Sequence, residues 1–298
     1  MRQCPLELSG SSMVNQVLRN YWLDRLIYWL ESIRSHKYLA TVYYKGSMKC
    51  GGAILSPNFV LSAAHCDYRK SSDKLDSLKV KAGVQNTSSA INVQEKSVSK
   101  ITKHSGYSTA SMKNDIMLIK LRFIVQKVQI KSDNRYLLSS ASFSFNDYVS
   151  SVALPSALTA PTYSVCGWGF NTSTNGRDTK ELNCFEGSNV QTSTCNSRYV
   201  TQIIIMSDFI CFLSPSTGWN KLVQDGQFCI GSANAAPCFH DGGAPAVNGN
   251  KIYGLYTFPD YQFDGKTYPR NAKCAEKNKP GVFIQVKDYV QWIESNMK

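Results

Sequence analysis

The chain has 298 residues, a formal net charge of +12, a hydrophobic fraction of 43% and ten cysteines, enough apolar content to bury a sizeable core in one two-lobed domain or two small ones. No run is apolar enough to span a bilayer. The positive charge comes without zinc-finger spacing or a basic helix with heptads, which argues against a nucleic-acid module. The cysteines lack close Cys-x-x-Cys pairs, which points to disulfides made in an oxidising, extracellular compartment rather than to zinc.

In chain order, MRQCPLELSGSSMVNQVLRNYWLDRLIYWL has no uninterrupted apolar core between a basic start and a small-residue cleavage site. No ordinary signal peptide is read there, so an exported chain would start upstream or use another route. VNQVLRNYWLDRLIYWLESI has apolar residues at helical spacing, and residues 1–35 are expected to be a partly helical extension. From there the texture is all-β: YLATVYY, GAILS, FVLSAA, DIMLIKL, YSVCGWG and KIYGLYTF are short apolar runs broken by Gly, Pro, Asn and Ser. The stretches from Leu121 to Leu154 and from Asp260 to Lys273 read as inserted loops, and VKDYVQWIESNMK as a terminal amphipathic helix. Asn86 and Asn171 open Asn-x-Ser sequons compatible with secretion. Lys79, Lys81, Lys96, Lys100 and Lys103 recur in strand-like or turn-rich segments and read as a solvated basic surface, with no more than weak polyanion binding.

Chemistry concentrates in CGGAILSPNFVLSAAHC, Cys50 to Cys66, where His65 sits beside a cysteine, and in NDIMLIKL, where Asp115 opens an apolar strand and needs a donor such as an imidazole N–H. With GWG at Gly167 to Gly169, CIG after Phe228, PCFHDGGAP from Pro237 to Pro245, and KPGVFIQVKDYVQWI at the end, the order and spacing resemble the trypsin/chymotrypsin family of serine proteases over residues 36–297. The resemblance implies two six-stranded antiparallel β-barrels, near 36–150 and 151–285, an active-site cleft between them and a C-terminal α-helix near 286–297. His65 matches the general base and Asp115 the carboxylate that orients it. Gly242 stands where the nucleophilic serine belongs, and no Ser, Thr or Cys follows Cys238 up to Val247. Loss of that hydroxyl costs about a millionfold in rate.

The other cleft positions depart as well. His240 replaces the glycine whose N–H helps bind the oxyanion, and Ala236 stands where trypsins carry the aspartate that reads basic residues. Tyr256, Thr257, Phe258 and Pro259 match the substrate-pairing strand, where Pro259 has no N–H to donate. No Ile-Val-Gly-Gly activation sequence exists, and Arg25 is followed by large aromatics where flexible glycines belong. Asp241, which would pair with the new amine, therefore needs another partner, with His240, a lysine or water as candidates.

By family position Cys50 pairs with Cys66, Cys195 with Cys229 and Cys238 with Cys274. Cys166 and Cys184 lie on strands that are neighbours in the family fold, while Cys4 and Cys211 remain open. No cofactor is expected, and four scattered histidines suggest no catalytic metal. The expectation is thus a secreted, non-catalytic serine-protease homologue that binds a protein, either a protease or its substrate, as cofactor or decoy in an extracellular cascade. The alternatives are an active trypsin-like endopeptidase, and weak hydrolysis by a water activated at His65 and Asp115.

Overall fold

Short strands, several of them buried along most of their length, build the structure. The computed structural model describes residues 33–109, 111–122, 142–169, 179–195, 223–232, 237–238, 240–258 and 280–298. β1 (Leu39–Tyr44), β2 (Ser47–Ser56), β3 (Phe59–Ser62), β4 (Leu78–Ala82), β5 (Gln94–Lys103) and β6 (Met117–Leu121) close into one barrel in the order β1-β2-β3-β6-β5-β4. β7 (Tyr163–Gly167), β8 (Asn183–Val190), β9 (Gln227–Gly231), β10 (Pro245–Asn248), β11 (Lys251–Phe258) and β12 (Gly281–Gln285) close into the other, in the order β10-β11-β12-β9-β8-β7. All pairings are antiparallel, so the expected two-barrel architecture is the one observed. Closure leaves no edge open to other chains among the described strands.

The turns explain the hairpins. Lys45 (φ 48°) and Gly46 (φ 82°) join β1 to β2, and Gly249 (φ 52°) and Asn250 (φ 59°) join β10 to β11. Positive φ at both central residues matches the right-handed twist of paired strands. In β4, LKVKA, the apolar Leu78, Val80 and Ala82 are buried while Lys79 and Lys81 are only half-buried. That alternation is how basic side chains coat a barrel filled by Val42, Ile54, Val60, Val98 and Ile119. The second barrel is filled by Tyr163, Val165, Phe228, Ile230, Tyr253 and Phe283. A third cluster, including Leu39, Leu118, Trp168, Leu255, Ile284 and Ile293, draws on both barrels. It packs the two barrels against each other.

The terminal amphipathic segment begins as a 3-10 turn, Val286–Tyr289, and continues as α1 (Val290–Asn296). It docks across the first barrel: His104 packs against the Tyr289 and Trp292 rings at 5.4 and 5.5 Å, and Tyr289 Oη donates to Asn114 Oδ1 at 2.8 Å. Burial pushes the Tyr289 phenol up to about 12. Among the described residues between Leu121 and Leu154, Ala153 makes one isolated bridge, to Lys251; residues 1–32, 123–141 and 259–279 lie outside the described residues, and with them much of the expected N-terminal helix and most of both expected insertions.

Disulfides join Cys50 to Cys66, Cys166 to Cys184 and Cys195 to Cys229. Cys166 and Cys184 are directly opposite each other in the β7–β8 register. Cys238 is also disulfide-bonded, whereas Cys274, Cys4 and Cys211 lie outside the described residues. Replacing Cys195 and Cys229 together by alanine is expected to lower stability by about 2–5 kcal/mol, because the unfolded chain regains the freedom of a closed loop. An unchanged denaturation midpoint would show that this bridge constrains nothing.

One of the two sequons falls on described residues. Asn86 Nδ2, the atom a glycan would take, donates to Glu181 Oε1, and the two residues also form a backbone bridge. Asn86 Oδ1 accepts from the Ser88 amide at 2.7 Å. The side chain is thus half-buried and engaged on both sides; Asn171 lies outside the described residues.

Candidate active site

His65 lies in a 3-10 turn, Ala64–Cys66, directly after β3, and the Cys50–Cys66 bridge ties that turn to β2. Asp115 sits just before β6, where Met112 and Asn114 adopt positive φ and the Ile116 amide bonds back to the Asn114 carbonyl at 2.8 Å. This tight turn aims the carboxylate at the imidazole. His65 Nδ1 donates to Asp115 Oδ2 at 2.6 Å and the His65 amide to Asp115 Oδ1 at 2.8 Å. The Asp115 side chain is 0% exposed and that of His65 19%.

A third donor comes from the other barrel. Thr257 Oγ1, itself fully buried, donates to Asp115 Oδ2. The register of β11 against β12 shifts between Tyr256 and Phe258, so Thr257 is the extra residue of a bulge. Bulges re-aim a side chain that regular alternation would send elsewhere. Three donors on one buried carboxylate satisfy the charge that burial would otherwise make costly. The Asp115 charge is felt nearby: the phenols of Tyr68 and Tyr107 are raised, first by burial and then by Asp115.

With Nδ1 committed to Asp115, Nε2 faces Gly242. A Cβ built on Gly242 would overlap His65 Nε2, lie 2.9 Å from Cε1 and approach Cys50 Sγ to 3.3 Å. The imidazole therefore stands in the volume that a side chain at this position would need. Its Nε2 rests 3.6 Å from Cys66 Sγ and 3.9 Å from Cys50 Sγ.

The loop around Gly242 is held from both sides. The Gly242 carbonyl accepts from the Gly51 amide of β2 at 2.8 Å, and the Gly243 amide donates to the Tyr256 carbonyl at 2.7 Å. Gly243 (φ 75°) is obligatory: a Cβ there would meet Ser62 Oγ and stand 2.6 Å from the Gly51 carbonyl. His240 has φ 69°, a left-handed conformation that glycine takes freely and that costs other residues about 1–2 kcal/mol. Among the described residues no acceptor is recorded for the Gly242 amide.

Asp241 finds partners that the sequence did not suggest. Its Oδ1 accepts from the Gly169 amide at 2.8 Å and its Oδ2 from the Cys238 amide at 2.9 Å. A Cβ at Gly167 would overlap that carboxylate, which explains why the first glycine of GWG is needed. Ala236 and Pro259 lie outside the described residues, and Phe258 is placed on β11 by its backbone.

Two His/Cys groupings have ligand spacing among the described residues, His36 with Cys166 and Cys184, and His65 with Cys50 and Cys66. All four sulfurs are in disulfides, so neither offers the thiolate that a metal would take.

Comparison with known proteins agrees with the two-barrel fold. Trypsin I-P1 of Gallus gallus is 30% identical over 253 residues, 83% of this chain and 79% of the relative. Trypsin-4 of Rattus norvegicus is 29% identical over 260 residues, 84% and 81%, and serine protease 1 of Homo sapiens is 28% identical over 254, 83% and 79%. The trypsin family profile matches residues 31–293, and on that match and these relatives the chain belongs to the trypsin family, as a trypsin-like serine-protease domain.

Proposed function

We propose that this trypsin-family domain does not cleave peptides and works by binding a polypeptide partner in its cleft, outside the cell, as a cofactor or decoy for a protease or its substrate. The observation that carries the reading is Gly242 at the nucleophile position, with the His65 imidazole in the space a serine side chain would fill. General base and orienting carboxylate without a hydroxyl can polarise a bound group, but they cannot form an acyl-enzyme. His240 in place of the oxyanion glycine, and Ala236 and Pro259 in the matched specificity and substrate-pairing positions, support the same reading. The disulfides support the extracellular setting. Retention of His65, Asp115 and Thr257 as a bonded set fits a structural duty: it ties β11 of one barrel to the turns that flank β3 and β6 of the other.

The competing reading, an active endopeptidase, draws on that same bonded set and on relatives named as trypsins. A fluorophosphonate probe separates the two, since it reports an activated serine. The purified protein is expected to stay unlabelled under conditions that label trypsin fully. Stoichiometric labelling mapped to the loop after Cys238 would overturn the proposal.

A further inference from the structure

The net charge is unevenly distributed. Between residues 33 and 122 the sequence carries fifteen Lys and Arg against five Asp and Glu, which accounts for +10 of the +12. The acids of that segment are spent locally. Asp115 holds His65, Glu95 pairs with Lys81 and Asp76 with Arg122, and the remaining two, Asp67 and Asp73, organise the loop that follows His65.

In that loop the carboxylates point inward and the ammonium groups outward. Asp73, 13% exposed, accepts from Tyr44 Oη at 2.6 Å and from the Lys70 amide at 2.9 Å, and pairs with Lys45 Nζ at 3.0 Å. These donors, Tyr44 first, hold its pKa down to about 2. Asp67, 7% exposed, is opposed by burial, but hydrogen bonds from Arg69 and Lys103 outweigh it and keep the carboxyl below its ordinary range. Outside these anchors Lys45 is 58% exposed, and Lys70 and Lys74 are exposed. Lys49 Nζ lies 5.7 Å from the Tyr68 ring centroid, Tyr68 stacks on Tyr44 at 6.5 Å, and Lys45 Nζ lies 5.1 Å from the Tyr44 ring centroid. Among the described residues no carboxylate pairs with Lys49, Lys70 or Lys74.

This surface adjoins the cleft. Lys49 precedes Cys50 and Tyr68 follows Cys66 by two residues, and those two cysteines form the bridge beside His65. From the charge complementarity and this continuity we propose that Lys45, Lys49, Lys70 and Lys74, on the Tyr44–Tyr68 platform, form a preorganised docking surface for an acidic segment of the polypeptide that occupies the cleft. The inference rests on the cleft-binding reading above and names the chemistry of its partner. A polypeptide leaving the cleft past His65 crosses the bridge and meets Lys49 first. Preorganisation matters because long cationic side chains otherwise surrender rotamer freedom on binding.

The test uses the full chain and a fluorescein-labelled decamer of glutamate at physiological salt, read by anisotropy. Lys49→Ala/Lys70→Ala/Lys74→Ala is expected to weaken binding by about tenfold or more, whereas the charge-matched Lys96→Ala/Lys100→Ala/Lys120→Ala on β5 and β6 changes it by less than about threefold. Lys45 is left intact so that Asp73 keeps its partner. Asp73→Asn adds to the net positive charge but removes the loop's anchor; a preorganised surface predicts weaker binding, and diffuse attraction predicts stronger. The proposal is overturned by equal losses in the two triple variants, by tighter binding of Asp73→Asn, or by a sulfated oligosaccharide binding this surface where the peptide does not. Fluorophosphonate labelling reports the cleft separately: a labelled protein with intact, patch-dependent peptide binding would remove the non-catalytic reading and leave the docking surface standing.

Discussion

Gly242→Ser is expected to produce no measurable peptidase activity, although on the proposed reading it supplies the triad's hydroxyl. A hydroxyl at this position needs its Cβ first, and that atom would overlap His65 Nε2 and stand 2.9 Å from Cε1. The imidazole cannot simply swing clear, because Nδ1 and the His65 amide are both bonded to the fully buried Asp115. Either the ring moves and weakens its bond to Asp115, or the Gly242 backbone moves and strains the Gly51 and Gly243 hydrogen bonds that hold it at 2.8 and 2.7 Å. The nucleophile is worth about a millionfold in rate, roughly 8 kcal/mol of barrier, and a misplaced base forfeits most of that. His240 at the oxyanion position adds a further loss, since one such donor carries about a hundred- to thousandfold. Turnover of an unstructured peptide by the single mutant at ordinary protease rates would show that the retained site is one hydroxyl away from catalysis, and the binding reading would fall with it.

Asp115→Ala is expected to cost about 3–5 kcal/mol of stability, a large effect for a single side chain. The substitution strands three donors in a dry site: the His65 amide, His65 Nδ1 and Thr257 Oγ1. Two of them belong to the first barrel and one to the second, so the loss also loosens the contact between barrels. Asp115→Asn keeps a carbonyl acceptor and should fall between wild type and alanine. Glu294→Ala, at an exposed position of α1, controls for charge alone and should change stability by less than about 0.5 kcal/mol. Thermal or denaturant midpoints check all three. A cost below about 1 kcal/mol for Asp115→Ala would mean that the bonded set is not a structural strut.

The two-barrel fold was legible in two steps: short apolar runs such as YLATVYY and DIMLIKL read as strands from neighbouring residues, and the order of GWG, CIG and the Cys238 loop carried the family resemblance that implies two barrels. The docking surface was not legible in the same way. Nothing in the sequence singles out Lys45, Lys49, Lys70 and Lys74 until Asp67 and Asp73 are seen turned inward beside them. Nor did the Asn86 sequon reveal that its side chain is bonded to Glu181, 95 residues away in the chain.

Sequence alone determined that position 242 offers no side chain, because glycine has none in any conformation, and motif order pointed to the family. The tertiary structure decided what became of the rest of the site. It put the His65 ring in the space left at Gly242, gave Asp241 the Gly169 and Cys238 amides, and brought Thr257 to Asp115 across 142 residues of chain. Strand period and turn chemistry are written in neighbouring residues. A hydrogen bond between barrels depends on register, on one bulge in β11, and on how two closed sheets pack their apolar faces together.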